Sequence, residues 1–227
     1  MLAGLASAAA IAAQVGPGKG LVQRPTQDFA APAAGSYSLP VIQAAADGWV
    51  FDGNWRPRRL SGYTQGALTL LSFVYTYCTD PIGCPLAYET FVGIRQQVLA
   101  DPLLRGRVRL VSLSFDPTHD TPQEMRHYGG EYVQSTELHW AFLTTHSVRF
   151  LKPILDGFGQ DVDVELDSQG RPTRTLTHML KVFLIDERGQ VREIYSAAFL
   201  HLGAMMNDLR TLALERPAAD RGDARAP

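Results

Sequence analysis

Residues 67–85 read ALTLLSFVYTYCTDPIGCP, and the fold turns on them. The first ten form a continuous apolar and β-branched run, the pattern of a strand buried on both faces rather than one facing water on one side. The run ends at Cys78. Asp80, Pro81 and Gly83 then mark a turn, and Pro85 suits the first helical position, where its missing N–H costs nothing. Leu86, Phe91, Ile94, Val98 and Leu99 recur at helical spacing, so Cys84 stands at or just before a helix N-terminus. A buried strand, a turn carrying two thiols and a helix therefore follow one another directly.

The flanking segments extend this unit. RVRLVSLSF (107–115) predicts a second buried strand, and DPTHDTPQEM (116–125) predicts a helix to about Tyr132, with Asp120 or Thr121 as N-cap and Pro122 in its first turn. LHWAFLTT (138–145) reads as a third strand and SVRFLKPILDGFG (147–159) as a helix with a Pro153 kink. MLKVFLIDERGQVREIYSA (179–197) reads as a hairpin turned at Gly189, and Leu202 to Leu214 as a closing helix. GWVFDG and NWRPRRL, residues 48–60, form a short strand and turn ahead of everything else. A parallel βαβα segment, an antiparallel hairpin and a last helix give an α/β, thioredoxin-like fold: a central mixed sheet flanked by helices, with an added N-terminal strand and turn.

Composition narrows the function. The 227 residues are 45% hydrophobic and 19% charged with a net charge of −2, ordinary for a globular protein, and the 21 Lys and Arg are scattered along the chain. Nothing in that scatter points to nucleic acid or an anionic membrane surface. Two cysteines exclude a disulfide scaffold and a zinc ribbon. Residues 1–36 read as leader and flexible linker, 37–214 as the folded domain and 215–227 as a disordered tail. The apolar run Leu2 to Ala13 resembles a signal-peptide core without a preceding basic residue, and is shorter than the roughly 20 residues that span a bilayer.

Free cysteines are often small buried hydrophobes, but two in one polar, exposed turn gain little from packing, which favours a joint function. The partial positive charge of the helix N-terminus stabilises a thiolate, the form that attacks disulfides or binds metal. Reversible disulfide and soft-metal clamp both remain open at this point, and a third ligand would decide between them. Of the six histidines, His178 is placed at the start of a buried strand near the first strand–helix junction; His119, in DPTHDTP, is its rival, and His201 reads as structural.

Three segments resemble the Sco/SenC family of copper chaperones and thiol-disulfide proteins of cytochrome oxidase assembly: LLSFVYTYCTDPIGCPLAYETF (70–91), VRLVSLSFDPTHDTPQEMRHY (108–128) and THMLKVFLIDERGQV (177–191). The resemblance implies that Cys78, Cys84 and His178 bind copper, as Cu(I) and possibly Cu(II). Asp116, Pro117, Asp120, Thr121 and Pro122 would shape the neighbouring turn. It further implies a periplasmic or membrane-anchored protein. Its acceptor would be the copper A site of cytochrome c oxidase subunit II or another cuproprotein, and it would work with a thiol reductant or an upstream copper donor. Two features depart from the family pattern. Five residues separate the cysteines instead of three, and Thr177 stands where an Asp usually precedes the histidine. The alternatives are a thioredoxin-class oxidoreductase, disfavoured by the cysteine spacing, and a peroxidase using Cys78 or Cys84 beside Thr76.

Overall fold

The computed structural model describes residue 22, residues 24–26 and residues 29–215. The leader run Leu2 to Ala13 and the tail from Arg216 lie outside them. The chain runs through β1 (Gln43–Ala44), β2 (Trp49–Phe51), β3 (Pro57–Arg59), α1 (Ser61–Thr64), β4 (Leu68–Val74), α2 (Cys84–Ala100), β5 (Val108–Ser114) and α3 (Pro122–Gly129). It continues with β6 (Trp140–Leu143), α4 (Val148–Phe158), β7 (Val162–Leu166), β8 (Pro172–His178), β9 (Lys181–Ile185), β10 (Gln190–Ser196) and α5 (Leu202–Leu214).

Among the described residues, a six-stranded sheet has the order β1-β10-β9-β4-β5-β6. The strands β4, β5 and β6 are parallel, while β9 joins β4 antiparallel and β10 and β1 extend that side. This is the mixed, thioredoxin-like sheet that the βαβα-hairpin order predicts. Every residue of β4 is buried, as expected of a strand covered on both faces. The helices α2 and α5 pack on one another, helped by Gly93: a Cβ there would lie 2.9 Å from Leu202 Cδ1.

Local chemistry sets the boundaries. Thr121 caps α3 by accepting the Glu124 N–H on its side chain, and Gly159, at φ 62°, ends α4 in the left-handed region. The α-helix of α3 stops at Gly129 and a 3₁₀ turn spans Gly130–Gln134, so the helix is shorter than its sequence pattern suggests. Gly129 allows that stop to sit on the sheet. A Cβ there would meet Phe142 Cδ2 and Val133 Cγ2 at 2.5 Å, so Gly129→Ala is expected to cost about 1–3 kcal/mol in chemical denaturation; a change below about 0.5 kcal/mol would show that the contact relaxes freely.

Two differences from the sequence reading bear on the site. Residues 29–36, the end of the segment read as linker, run along α5: Asn207 Nδ2 donates to Pro32 O at 2.8 Å and Gly35 N donates to Thr211 Oγ1 at 2.9 Å, and just beyond them the Tyr37 hydroxyl donates to buried Asp208. The second is the separate β7–β8 hairpin, a two-stranded sheet of its own. His178 closes β8 rather than opening the following core strand, which begins at Lys181.

Candidate metal and thiol site

The parallel strands β4 and β5 end level with one another, with Val74 opposite Ser114, so the loops that follow them meet at one edge of the sheet. Asp120, fully buried, ties them together. Its carboxylate accepts the Thr76 N–H at 3.1 Å, the Thr76 hydroxyl at 2.6 Å and the Ser114 hydroxyl at 2.7 Å. Burial raises its pKa, while those hydrogen bonds pull in the opposite direction. Asp116 does similar work nearer the surface, receiving the Tyr77 hydroxyl, the Thr118 N–H at 3.2 Å and His119 Nδ1 at 2.6 Å. Asp120→Ala leaves the Thr76 and Ser114 donors unpaired in the interior, and a loss of about 3 kcal/mol in equilibrium unfolding is expected; wild-type stability in that variant would mean water replaces the carboxylate.

The cysteine loop folds on its own residues. Cys78 N donates to Tyr75 O at 3.2 Å, Ile82 N to Asp80 Oδ1 at 3.1 Å and Gly83 N to Asp80 O at 2.9 Å. Residues 79–82 are exposed, but both thiols are buried, Cys78 at 6% and Cys84 at 1% exposure. The turn residues therefore describe the tip of the loop and not its two cysteines, which the reading of an exposed thiol pair missed.

The pair is electrostatically unequal. Cys84 is the first residue of α2, but the helix N-terminus serves the other sulfur: the Cys84 thiol and the Cys84 N–H both donate to Cys78, as do the Tyr75 hydroxyl and the Asp80 N–H. These donors, the Cys84 thiol foremost, lower the Cys78 pKa from 9.0 to about 6 against the opposing effect of burial. Burial, then the neighbouring Cys78, pushes Cys84 well above 9.0. The pair is thus polarised, with ionisation favoured at Cys78 and the proton retained on Cys84.

His178 stands on the other side of Tyr75. Its ring lies 4.6 Å from Phe115 and 5.9 Å from Tyr75, centroid to centroid. Nδ1 is 3.1 Å from Leu176 O; a carbonyl only accepts, so the proton sits on Nδ1 and the Nε2 lone pair is left. That Nε2 is buried with no hydrogen-bond partner, an orphan that a cation would satisfy. Two sulfurs and one such nitrogen form a soft donor set. They do not yet converge: among the described residues no three His, Cys, Asp or Glu side chains form a group able to hold a metal. Tyr75 touches both halves. It ends the apolar run and reads in sequence as core, so its contact with Cys78 and His178 had no sequence signal. The rival His119 is exposed and bound to Asp116, and His201 is buried against Phe29 at 5.4 Å at the start of α5.

No helix among the described residues is long and apolar enough to cross a membrane. No curated protein sequence matches the chain. Solved structures do. A SCO1/SenC family lipoprotein from Bacillus anthracis is 21% identical, with a TM-score of 0.62, covering 75% of this chain and 95% of its own. Yeast Sco1 with copper bound is 16% identical, with a TM-score of 0.59, covering 81% and 96%. BsSco, a member of the Sco family of cytochrome c oxidase assembly proteins in which a disulfide switch was identified, is 18% identical at a TM-score of 0.59, covering 79% and 99%. At these identities the likeness is one of fold. The family model described as SCO1/SenC, however, matches residues 58–214, from the β3 strand through the cysteine loop and His178 to the last residue of α5, and the chain belongs to that family.

Proposed function

We propose that this protein is a copper chaperone that carries cuprous ion on Cys78, Cys84 and His178 and delivers it to the copper A site of a respiratory cytochrome c oxidase. The observation that carries the reading is the buried, polarised cysteine pair with a buried, unpartnered His178 Nε2 across Tyr75 from it. Loading releases the Cys84 proton, because a metal takes the thiolate, and that release makes affinity rise with pH. His178 must also close on the sulfurs. Because β7 and β8 form their own two-stranded sheet, a shift of the hairpin toward the sulfurs would break no ladder of the central sheet. A site of few soft ligands binds tightly yet stays open to ligand exchange, which suits hand-over to an acceptor offering its own cysteines and histidines. Copper-bound yeast Sco1 shares the fold and supports this choice of cargo. The proposed setting is the periplasmic face of a membrane.

The unequal thiols also favour a second reading, reduction of a disulfide in the acceptor. The Cys78 thiolate attacks one sulfur of that disulfide, forming a mixed disulfide and releasing the other as thiolate; Cys84 loses its proton and attacks Cys78, freeing the acceptor as a dithiol. Two electrons pass to the acceptor and the Cys78–Cys84 disulfide remains. Copper stoichiometry under reducing conditions separates the two. The chaperone reading expects one cuprous ion per chain and a marked loss of affinity in His178→Ala, read by competition with a chromophoric chelator. Unchanged binding in that variant together with persistent disulfide reduction would leave the oxidoreductase reading alone.

A further inference from the structure

Among the described residues, three exposed aromatic side chains, Trp49, Trp55 and Phe150, gather on one face beyond β6, whereas Phe29 and Phe199 lie near the start of α5. Strand alternation in β2 sends Val50 into the core and puts Trp49 and Phe51 on the opposite side, where Trp49 pairs with Arg59 and Phe51 with Pro57. Phe51 bridges to Thr144 at the end of β6. From Phe51 the rings run both ways: Trp55 at 6.2 Å, and His146 at 6.3 Å followed by Phe150 at 5.9 Å. Trp49 is 49% exposed, Trp55 59% and Phe150 46%.

Trp55 is held out at a cost. Among the described residues it alone, glycines apart, has a positive φ, 61°, a conformation that a bulky side chain seldom adopts. Asp52 fixes it: the carboxylate accepts the N–H groups of Asn54 at 2.9 Å and Arg56 at 3.1 Å, and the carbonyl accepts Trp55 N at 3.0 Å. From α3, Arg126 Nε donates to Gly53 O at 2.9 Å and pins the turn from behind. The strain is spent on presenting an indole to solvent at the tip of a hairpin.

The rim is cationic. Arg56 and Arg59 follow Trp55 with no acidic residue between Gly53 and Leu60, and exposed Arg149 precedes Phe150, while Arg58, paired with core-facing Val50, leaves the hairpin on the other side. Asp52 faces into the turn, where it accepts backbone N–H groups, and Asp47 is paired with Arg59, which leaves Arg56 and Arg149 without an ion pair among the described residues. Arg59 also lies over the Trp49 ring at 5.5 Å. Arg56 and Arg59 are already neighbours in the sequence, and folding adds Arg149, from the first turn of α4, to the same face.

We infer that this face docks on an anionic phospholipid surface, its indoles at headgroup depth and its arginines on the phosphates. Amphipathic tryptophan rings and basic residues are the two attractions such a surface offers, and here they share one rigid turn. Docking also orients the molecule. The loops after β4, β5 and β6 leave the same edge of the sheet, so a membrane against the loop after β6 lies along the edge that carries Cys78.

Flotation of the full chain with phosphatidylcholine vesicles, and with vesicles of equal parts phosphatidylcholine and phosphatidylglycerol, tests the inference. Salt-sensitive binding to the anionic vesicles is expected, with a blue shift of tryptophan emission. Arg56→Glu with Arg149→Glu is expected to weaken it at least about tenfold and Trp55→Ser to abolish most of the shift. Cys78 alkylation, unchanged in both variants, serves as the fold control. The apolar run Leu2 to Ala13 is common to all the proteins compared, so only the difference between them is read. Absence of binding to anionic vesicles, or equal binding by wild type and both variants, overturns the inference; a protein acceptor captured by this face while vesicles are ignored does so as well.

Discussion

Cys84→Ser is expected to abolish tight cuprous binding, with affinity falling by at least about a thousandfold. The effect is large because the substitution removes two contributions at once. One of two thiolate ligands goes, leaving a sulfur and an imidazole, which make a far weaker soft-metal site. The main hydrogen-bond donor to Cys78 changes as well, since the Cys84 thiol is the foremost cause of the low Cys78 pKa. A serine hydroxyl at this 1%-exposed position offers a donor but no soft ligand. Competition with a cuprous chelator checks it: a variant that still held one copper ion per chain would contradict the assignment of Cys84.

Selective alkylation is the second large effect. With limiting iodoacetamide at pH 7, Cys78 is expected to react at least about a hundredfold faster than Cys84, because the thiolate is the nucleophile and only Cys78 is ionised there. The Cys78 rate should level off above about pH 6 and fall about tenfold per unit below it. Cys84, pushed well above 9.0, should respond only in strong base. Peptide mapping across pH reads both. Tyr75→Phe removes the phenol donor and should move the Cys78 profile to higher pH, while equal labelling of the two sulfurs would show that the pair is not polarised.

Much of this site is legible in the sequence because its scaffold is built from elements with strong patterns. The β4 strand, the Pro85-led helix α2 and the Gly189 hairpin each carry a local signal that tertiary context reinforces. The cysteine loop was harder to read. Asp80 and Pro81 report the exposed tip, whereas burial of Cys78 and Cys84 depends on what the sheet and Tyr75 place over them. The β7–β8 hairpin is mostly exposed and carries no apolar run, although Val162, Val164 and Leu166 alternate and Gly170 takes the left-handed turn position, φ 74°. The apolar pattern therefore puts His178 at the start of the core strand, whereas the chain places it at the end of β8. The role of Asp120 is a further instance: it borders a helix and reads as a cap, yet Thr121 caps and Asp120 anchors the strand end.

The central claim is that Cys78, Cys84 and His178 act as one cuprous site. X-ray absorption at the copper edge of the reduced, singly loaded protein tests it most directly. The account predicts two sulfur ligands and one imidazole nitrogen in the wild type, with the imidazole signal lost in His178→Ala. A first shell unchanged by that substitution would contradict it.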